Sequence, residues 1–110
     1  MMHFRREQII SKILDRVIEI QREYVTPCWE WQGPTSGNGR GGGYPRMALD
    51  GLTVAVHIVM YVCVYGYIHN KRQVDHLCNN RICVNPDHLE AVTHKENQRR
   101  RDKRRKLNEI

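Results

Sequence analysis

A chain of 110 residues has room for one domain around one small core, so every feature it carries must be served by that core. Hydrophobic residues make up 40% of it but include only one Phe and two Trp, which leaves burial a thin margin and gives a structural metal something to do. The formal charge is +6, from 18 Lys and Arg against 12 Asp and Glu, and with no run of 18 apolar residues the composition argues against a membrane span and for a polyanionic partner.

The N-terminus, "MMHFRREQIISKILDR", interleaves charges with its apolar residues and so lacks the continuous hydrophobic stretch of a secretory signal. A cytoplasmic location follows as the expectation. In that reducing setting four cysteines are more readily metal ligands than disulfides.

Residues 5–23 place Ile9, Ile10, Ile13, Leu14, Val17 and Ile20 at spacings of three and four, which predicts one amphipathic helix ended by Pro27. This sets a division at 27/28, with an N-terminal helix before it and the main domain, 28–110, after it. "CWEWQG" then alternates large apolar with polar residues as a short strand does, and a glycine-rich loop containing Arg40 follows. In "YPRMALDGLTVAVH" the Asp50-Gly51 pair predicts a β-hairpin. Residues 56–68, "VHIVMYVCVYGYI", are nearly all apolar and fit a buried helix by length or a strand by β-branched content; the helix, ended by Gly66, is the preferred reading, with Cys63 a small buried thiol inside it.

"RQVDHL" and "HLEAVT" read as strands separated by the turn-rich "CNNRICVNPD". Thr93 is the expected N-cap of a last helix, with Glu96 three residues on completing a capping box. Residues 95–106 hold eight basic residues against two acidic ones, the electrostatic footprint of a nucleic-acid partner.

Two ligand chemistries meet between residues 74 and 97. Cys78, Cys83 and His88 follow one another at intervals of five, close enough for one loop to bring two sulfurs and an imidazole to a common point about 2 Å from a metal. Zinc wants a fourth ligand, and Cys28, at the start of a strand, is the best candidate; incidental thiols or a Cys78–Cys83 disulfide are the alternatives. Asp75, His76, Asn85 and Asn97 offer hard oxygen donors and an imidazole instead, a set suited to magnesium.

"VDHLCNNRICVNPDHLEAVTHKEN", with Cys28 ahead of it, resembles the core of the HNH nucleases, also called ββα-metal or His-Me finger nucleases, in particular the small phage and intron-encoded homing endonucleases. It is also similar to the zinc-containing His-Cys box enzymes. The resemblance runs from about Cys28 to Arg100 and implies an α+β, ββα-metal domain whose zinc-stapled loop is held by Cys28, Cys78, Cys83 and His88. It further implies a Mg2+-dependent DNA endonuclease with His76 as general base, Asp75 and Asn97 holding one Mg2+, Asn85 orienting the loop and so His76, and Arg46 contacting the phosphate. Arg99, Arg100, Arg101, Lys103, Arg104 and Arg105 would face the DNA backbone, with Arg40 entering a groove. Relatives often carry His-Arg where this chain has His57-Ile58, so His57 is open between a site residue and a core residue. The competing expectation is a non-cleaving, zinc-stabilised DNA-binding protein, which would have no need of Asp75, His76 and Asn97 together. A monomer or a homodimer fits either.

Overall fold

The computed structural model describes residues 2–37, 43–69 and 71–108, with side chains between residues 5 and 103 of these. Chain order is α1 (Met2–Leu14), β1 (Val17–Ile20), β2 (Cys28–Trp31), β3 (Arg46–Leu49), β4 (Leu52–Ala55), α2 (Val56–Tyr65), β5 (Arg72–His76), a 3-10 turn at Pro86–His88, β6 (Leu89–Thr93) and α3 (His94–Asn108). The strands form three separate antiparallel pairs, β1–β2, β3–β4 and β5–β6. The result is the small α+β arrangement expected of the ββα class, with β5, β6 and α3 as its ββα unit.

The first helix is shorter than its periodicity predicts. It ends at Leu14, the chain reverses at Asp15–Arg16, and Val17–Ile20 pairs with β2 in the register Val17↔Trp31 to Ile20↔Cys28. "VIEI" is rich in β-branched residues, which suit a pleated strand, and the backbone of β2 supplies the partner that a helix would leave unpaired. Pairing across the 27/28 division therefore joins the N-terminal segment to the strand that begins with Cys28.

The other elements follow their local signals. Asp50 and Gly51 take φ of 52° and 80°, the two positive values that a two-residue hairpin turn needs, and they close β3 onto β4. Gly66 ends α2 at φ 92°, its N–H donating to Val62 O. Thr93 Oγ1 accepts from Glu96 N at 3.2 Å, while the Glu96 carboxylate turns to Arg99 and Arg100 rather than back to the cap.

One core holds these elements together. Ile13 of α1, Trp31 of β2, Met47 of β3, Val56 and Met60 of α2, and Val84 of the loop before the 3-10 turn are buried against one another, with Ile9, Ile10, Val17, Trp29, Val54 and Val59 around them. Cys63 is buried in α2 outside that cluster, as its apolar neighbours suggested. Because Val84 is part of the core, the loop that carries the cysteines is anchored from below. From the side it is anchored by backbone: Trp31 N–H donates to Ile82 O at 2.9 Å and Val84 N–H to Trp29 O at 2.8 Å, an isolated antiparallel bridge of Cys83 to Glu30 of β2.

Candidate active site and metal centre

Cys28 opens β2, Cys78 follows the end of β5, Cys83 lies in the segment paired with β2, and His88 closes the 3-10 turn. Together these elements bring three sulfurs and one imidazole nitrogen to within 4.8 Å of one another. His88 Nδ1 lies 3.7 Å from Cys28 Sγ and 3.4 Å from Cys83 Sγ. Tetrahedral zinc, with Zn–S of about 2.3 Å and Zn–N of about 2.0–2.1 Å, requires S···N edges of about 3.6 Å. The donor set fits zinc in both chemistry and spacing.

The surroundings prepare those ligands. His88 Nε2 lies 2.6 Å from Thr26 Oγ1; with Nε2–H donating there, the Nδ1 lone pair is turned to the sulfurs, the outer hydrogen bond that metal-binding histidines use. Tyr24 packs edge-on against the same ring at 4.6 Å. The Cys83 thiol, donating toward Cys78, pulls the Cys78 pKa down to about 5 against the effect of burial. The same hydrogen bond, with burial, holds the proton on Cys83, and burial raises Cys28.

Asn85 belongs to this loop. Its Oδ1 accepts from Asp87 N at 3.0 Å, capping the 3-10 turn, and its Nδ2 donates to Pro27 O at 3.0 Å, tying the turn to the segment that leads into Cys28. Sequence reasoning missed a second tie. Glu30, 4% exposed, accepts two hydrogen bonds from Arg22, at 2.7 and 3.0 Å, and one from Asn80 Nδ2 at 2.8 Å. The Arg22 hydrogen bond lowers the Glu30 pKa and keeps it charged.

Asp75 and His76, adjacent on β5, project to opposite faces of the strand, yet both are buried. That requires cover on both sides. On one side stands α3: Arg100 Nη1 reaches Asp75 Oδ2 at 3.0 Å, and Asn97 Nδ2 reaches Gln73 Oε1 at 2.6 Å, two residues along the same face. On the other stands α2, whose His57 ring lies 4.8 Å from that of His76. Tyr44, just before β3, packs at 5.5 Å from His57 and 5.9 Å from His76. Nothing in the sequence marked Tyr44, which only the tertiary fold brings to this strand.

Arg46 starts β3, and its positive charge is felt at His57. Arg81, also not foreseen, leaves the cysteine loop to lie with its guanidinium 5.4 Å from the Tyr44 ring centroid. Of the basic residues on α3, Arg99, Arg101 and Lys103 are exposed, whereas Arg100 is turned inward onto Asp75, Glu90 and Glu96, with Glu90 at 2.9 Å raising its pKa further. Glu90 stands directly opposite Asp75 in the β5–β6 register, which is why one guanidinium spans both. Arg40 and the side chains of Arg104 and Arg105 lie outside the described residues.

The family model for HNH endonuclease matches residues 54–99, from β4 to the second turn of α3. Residues 54–99 are thus similar to an HNH endonuclease domain. The matched segment holds Asp75, His76, Asn85 and Asn97 and three of the four clustered ligands, while Cys28 reaches it from outside. The chain is similar to Protein 2.8 of Escherichia phage T7, with 37% identity over 90 residues, and to Protein 7.7 of the same phage, with 34% identity over 70 residues. These alignments cover 82% and 64% of this chain but 57% and 51% of the relatives, so the chain spans about half the length of the curated proteins it matches. No solved structure matches it significantly. Among the described residues no helix is long and apolar enough to cross a membrane.

Proposed function

We propose that the chain is a phage-type DNA endonuclease that hydrolyses phosphodiester bonds with His76 as general base, acting in the host-cell cytoplasm. The observation that carries this reading is the buried Asp75–His76 pair at the end of β5, enclosed by α2 and α3 within the HNH-matched segment. A pure DNA-binding module has no use for a buried carboxylate beside a buried imidazole, each costly to place out of water.

A ring nitrogen of His76 takes the proton of the attacking water, a task suited to imidazole because its intrinsic pKa lies near neutrality. Asp75 and Asn97, on β5 and the first turns of α3, present hard oxygen donors on neighbouring elements, the donor type that Mg2+ takes. Bound there, Mg2+ would supply Lewis-acid stabilisation of the charge on the leaving 3′ oxygen. Arg46 contributes positive charge to the phosphate beside the His57–His76 pair. Asn85 holds the loop after β5 in place, and through it the end of the strand that bears His76. Cys28, Cys78, Cys83 and His88 hold a structural zinc that fixes the same loop.

The exposed α3 cations Arg99, Arg101 and Lys103, continued by Arg104 and Arg105, track the DNA backbone, and Arg40 in the glycine-rich loop reads a groove. Arg100 serves Asp75 in place of DNA. The products are a 5′ phosphate and a 3′ hydroxyl.

Supercoiled-plasmid nicking with and without Mg2+, comparing the intact chain with His76→Ala, tests this reading. Mg2+-dependent conversion to open-circular plasmid, lost in His76→Ala, is expected. Equal conversion by both proteins, or none by the intact chain on several DNA sources, would overturn it.

A further inference from the structure

His57 is 7% exposed and sits in the first turn of α2, between core residues of the same helix: Val56 beside it and Met60 one turn on. Burial among those residues restricts its ring. Ring centroids of His57, His76 and Tyr44 form a triangle with sides of 4.8, 5.5 and 5.9 Å, and each pair is tilted by 31–39°. His76 ends its strand and is followed by a turn, so β5 alone leaves its side chain the usual choice of staggered rotamers. The pair of rings packed against it narrows that choice.

We propose that His57 is a positioning residue for His76: its ring, braced by Tyr44, is the wall that holds the His76 imidazole in one orientation. The inference rests on the assignment of His76 as general base and adds the element that aims it. General-base catalysis is geometric first, since the ring nitrogen must lie within about 2.6–3.2 Å of the proton it abstracts, and an imidazole that samples several rotamers meets that condition only part of the time.

Two observations argue for a wall rather than for a second proton carrier. His57 Nδ1 is buried and has no hydrogen-bond partner among the described residues, so that nitrogen passes no proton to a neighbouring group. Burial, with the charges of His76 and Arg46 adding to it, drives the His57 pKa down to about 3. The ring is therefore neutral throughout the neutral range and sets no positive charge against its neighbour. An unpartnered buried nitrogen also costs stability, so a benzene ring of similar size should serve as the wall equally well.

The test uses the full chain as wild type, His57→Ala and His57→Phe, each first checked for bound zinc and for an unchanged circular dichroism spectrum. The first readout is independent of activity: the His76 ring signals in 1H–13C NMR are expected to be single and rigid in wild type and His57→Phe, and averaged or broadened in His57→Ala. The second is plasmid nicking, where His57→Ala is expected to lose about tenfold or more in kcat with little change in KM, and His57→Phe to stay within about threefold of wild type. A His57→Ala protein with an ordered His76 ring and wild-type kcat would overturn the proposal. So would a His57→Phe protein as inactive as His57→Ala although its His76 ring stays ordered, since the nitrogen rather than the wall would then be used. If ring order follows residue 57 as stated but no variant, wild type included, nicks DNA, the positioning stands and the nuclease assignment fails.

Discussion

Replacing Cys83 by Ser removes one of four clustered ligands and leaves the backbone untouched, so its effect isolates the metal centre from the rest of the loop. Cys83 is fully buried, in register with Glu30 and flanked by the two backbone hydrogen bonds to β2. A seryl oxygen is harder than a thiolate and stays protonated at neutral pH, so the site becomes at best three-coordinate from protein. Structural zinc contributes about 10–16 kcal/mol of apparent binding energy that is also folding energy, whereas a domain of this size has about 5–15 kcal/mol of net stability. Losing even half of the zinc contribution, about 5–8 kcal/mol, therefore removes a third or more of the total and lowers the melting midpoint by about 20 °C or more. Zinc content by mass spectrometry is expected to fall from about one per chain to well below it, and the circular dichroism melt to drop to match; chelator treatment of the wild type should reproduce both. Cys63→Ser, at a buried thiol outside the cluster, should keep its zinc and lose no more than about 1–2 kcal/mol. A zinc-free Cys83→Ser protein melting within a few degrees of wild type would refute the reasoning.

Three further outcomes are expected. His57, with its pKa held to about 3 by burial, binds no proton in the native state at pH values where the unfolded chain, with a His pKa near 6.5, does; its contribution is whole above pH 6.5 and is lost as pH falls toward 3, by up to about 1.4 kcal/mol per unit. Urea midpoints should thus show the stability advantage of His57→Phe over wild type widening between pH 6.5 and 5, and a constant gap would contradict the burial argument. Arg100→Ala leaves Asp75, 7% exposed, without its guanidinium and should cost about 1–3 kcal/mol in urea unfolding, while Arg100→Lys, whose single ammonium cannot span Asp75, Glu90 and Glu96 together, should recover only part of that; a wild-type midpoint for Arg100→Ala would show the triple pairing to be idle. Changing Arg99, Arg101 and Lys103 together to Gln should make the slope of log K against log salt shallower by about 0.9 for each phosphate no longer neutralised, and an unchanged slope would remove α3 from the DNA interface.

Much of the architecture was legible because it is encoded locally. Asp50-Gly51 fixes a hairpin turn through two positive φ values, Gly66 ends α2, and Thr93 caps α3, each a decision taken within four residues of chain. The three ligands at intervals of five were legible for the same reason, since a single loop can gather them. Where the sequence misled, at Val17–Ile20, the helical spacing of apolar residues competed with β-branched chemistry, and the backbone of β2, present only in the folded molecule, settled the contest in favour of a strand.

The remainder depended on how distant segments pack together, on which local spacing is silent. Arg100 and its neighbours on α3 read identically as basic residues, but only the β5–β6 register sets Glu90 opposite Asp75 and so draws that one guanidinium inward. Tyr44, Thr26 and Glu30 carry no signal of their own; they matter because folding sets them against His76, His88 and Asn80. The sequence by itself determined the donor chemistry, soft sulfur and imidazole beside hard oxygen, because ligand type is a property of the side chain alone. Only the tertiary structure decided which side chains surround those donors, because a neighbour across the fold is a property of packing.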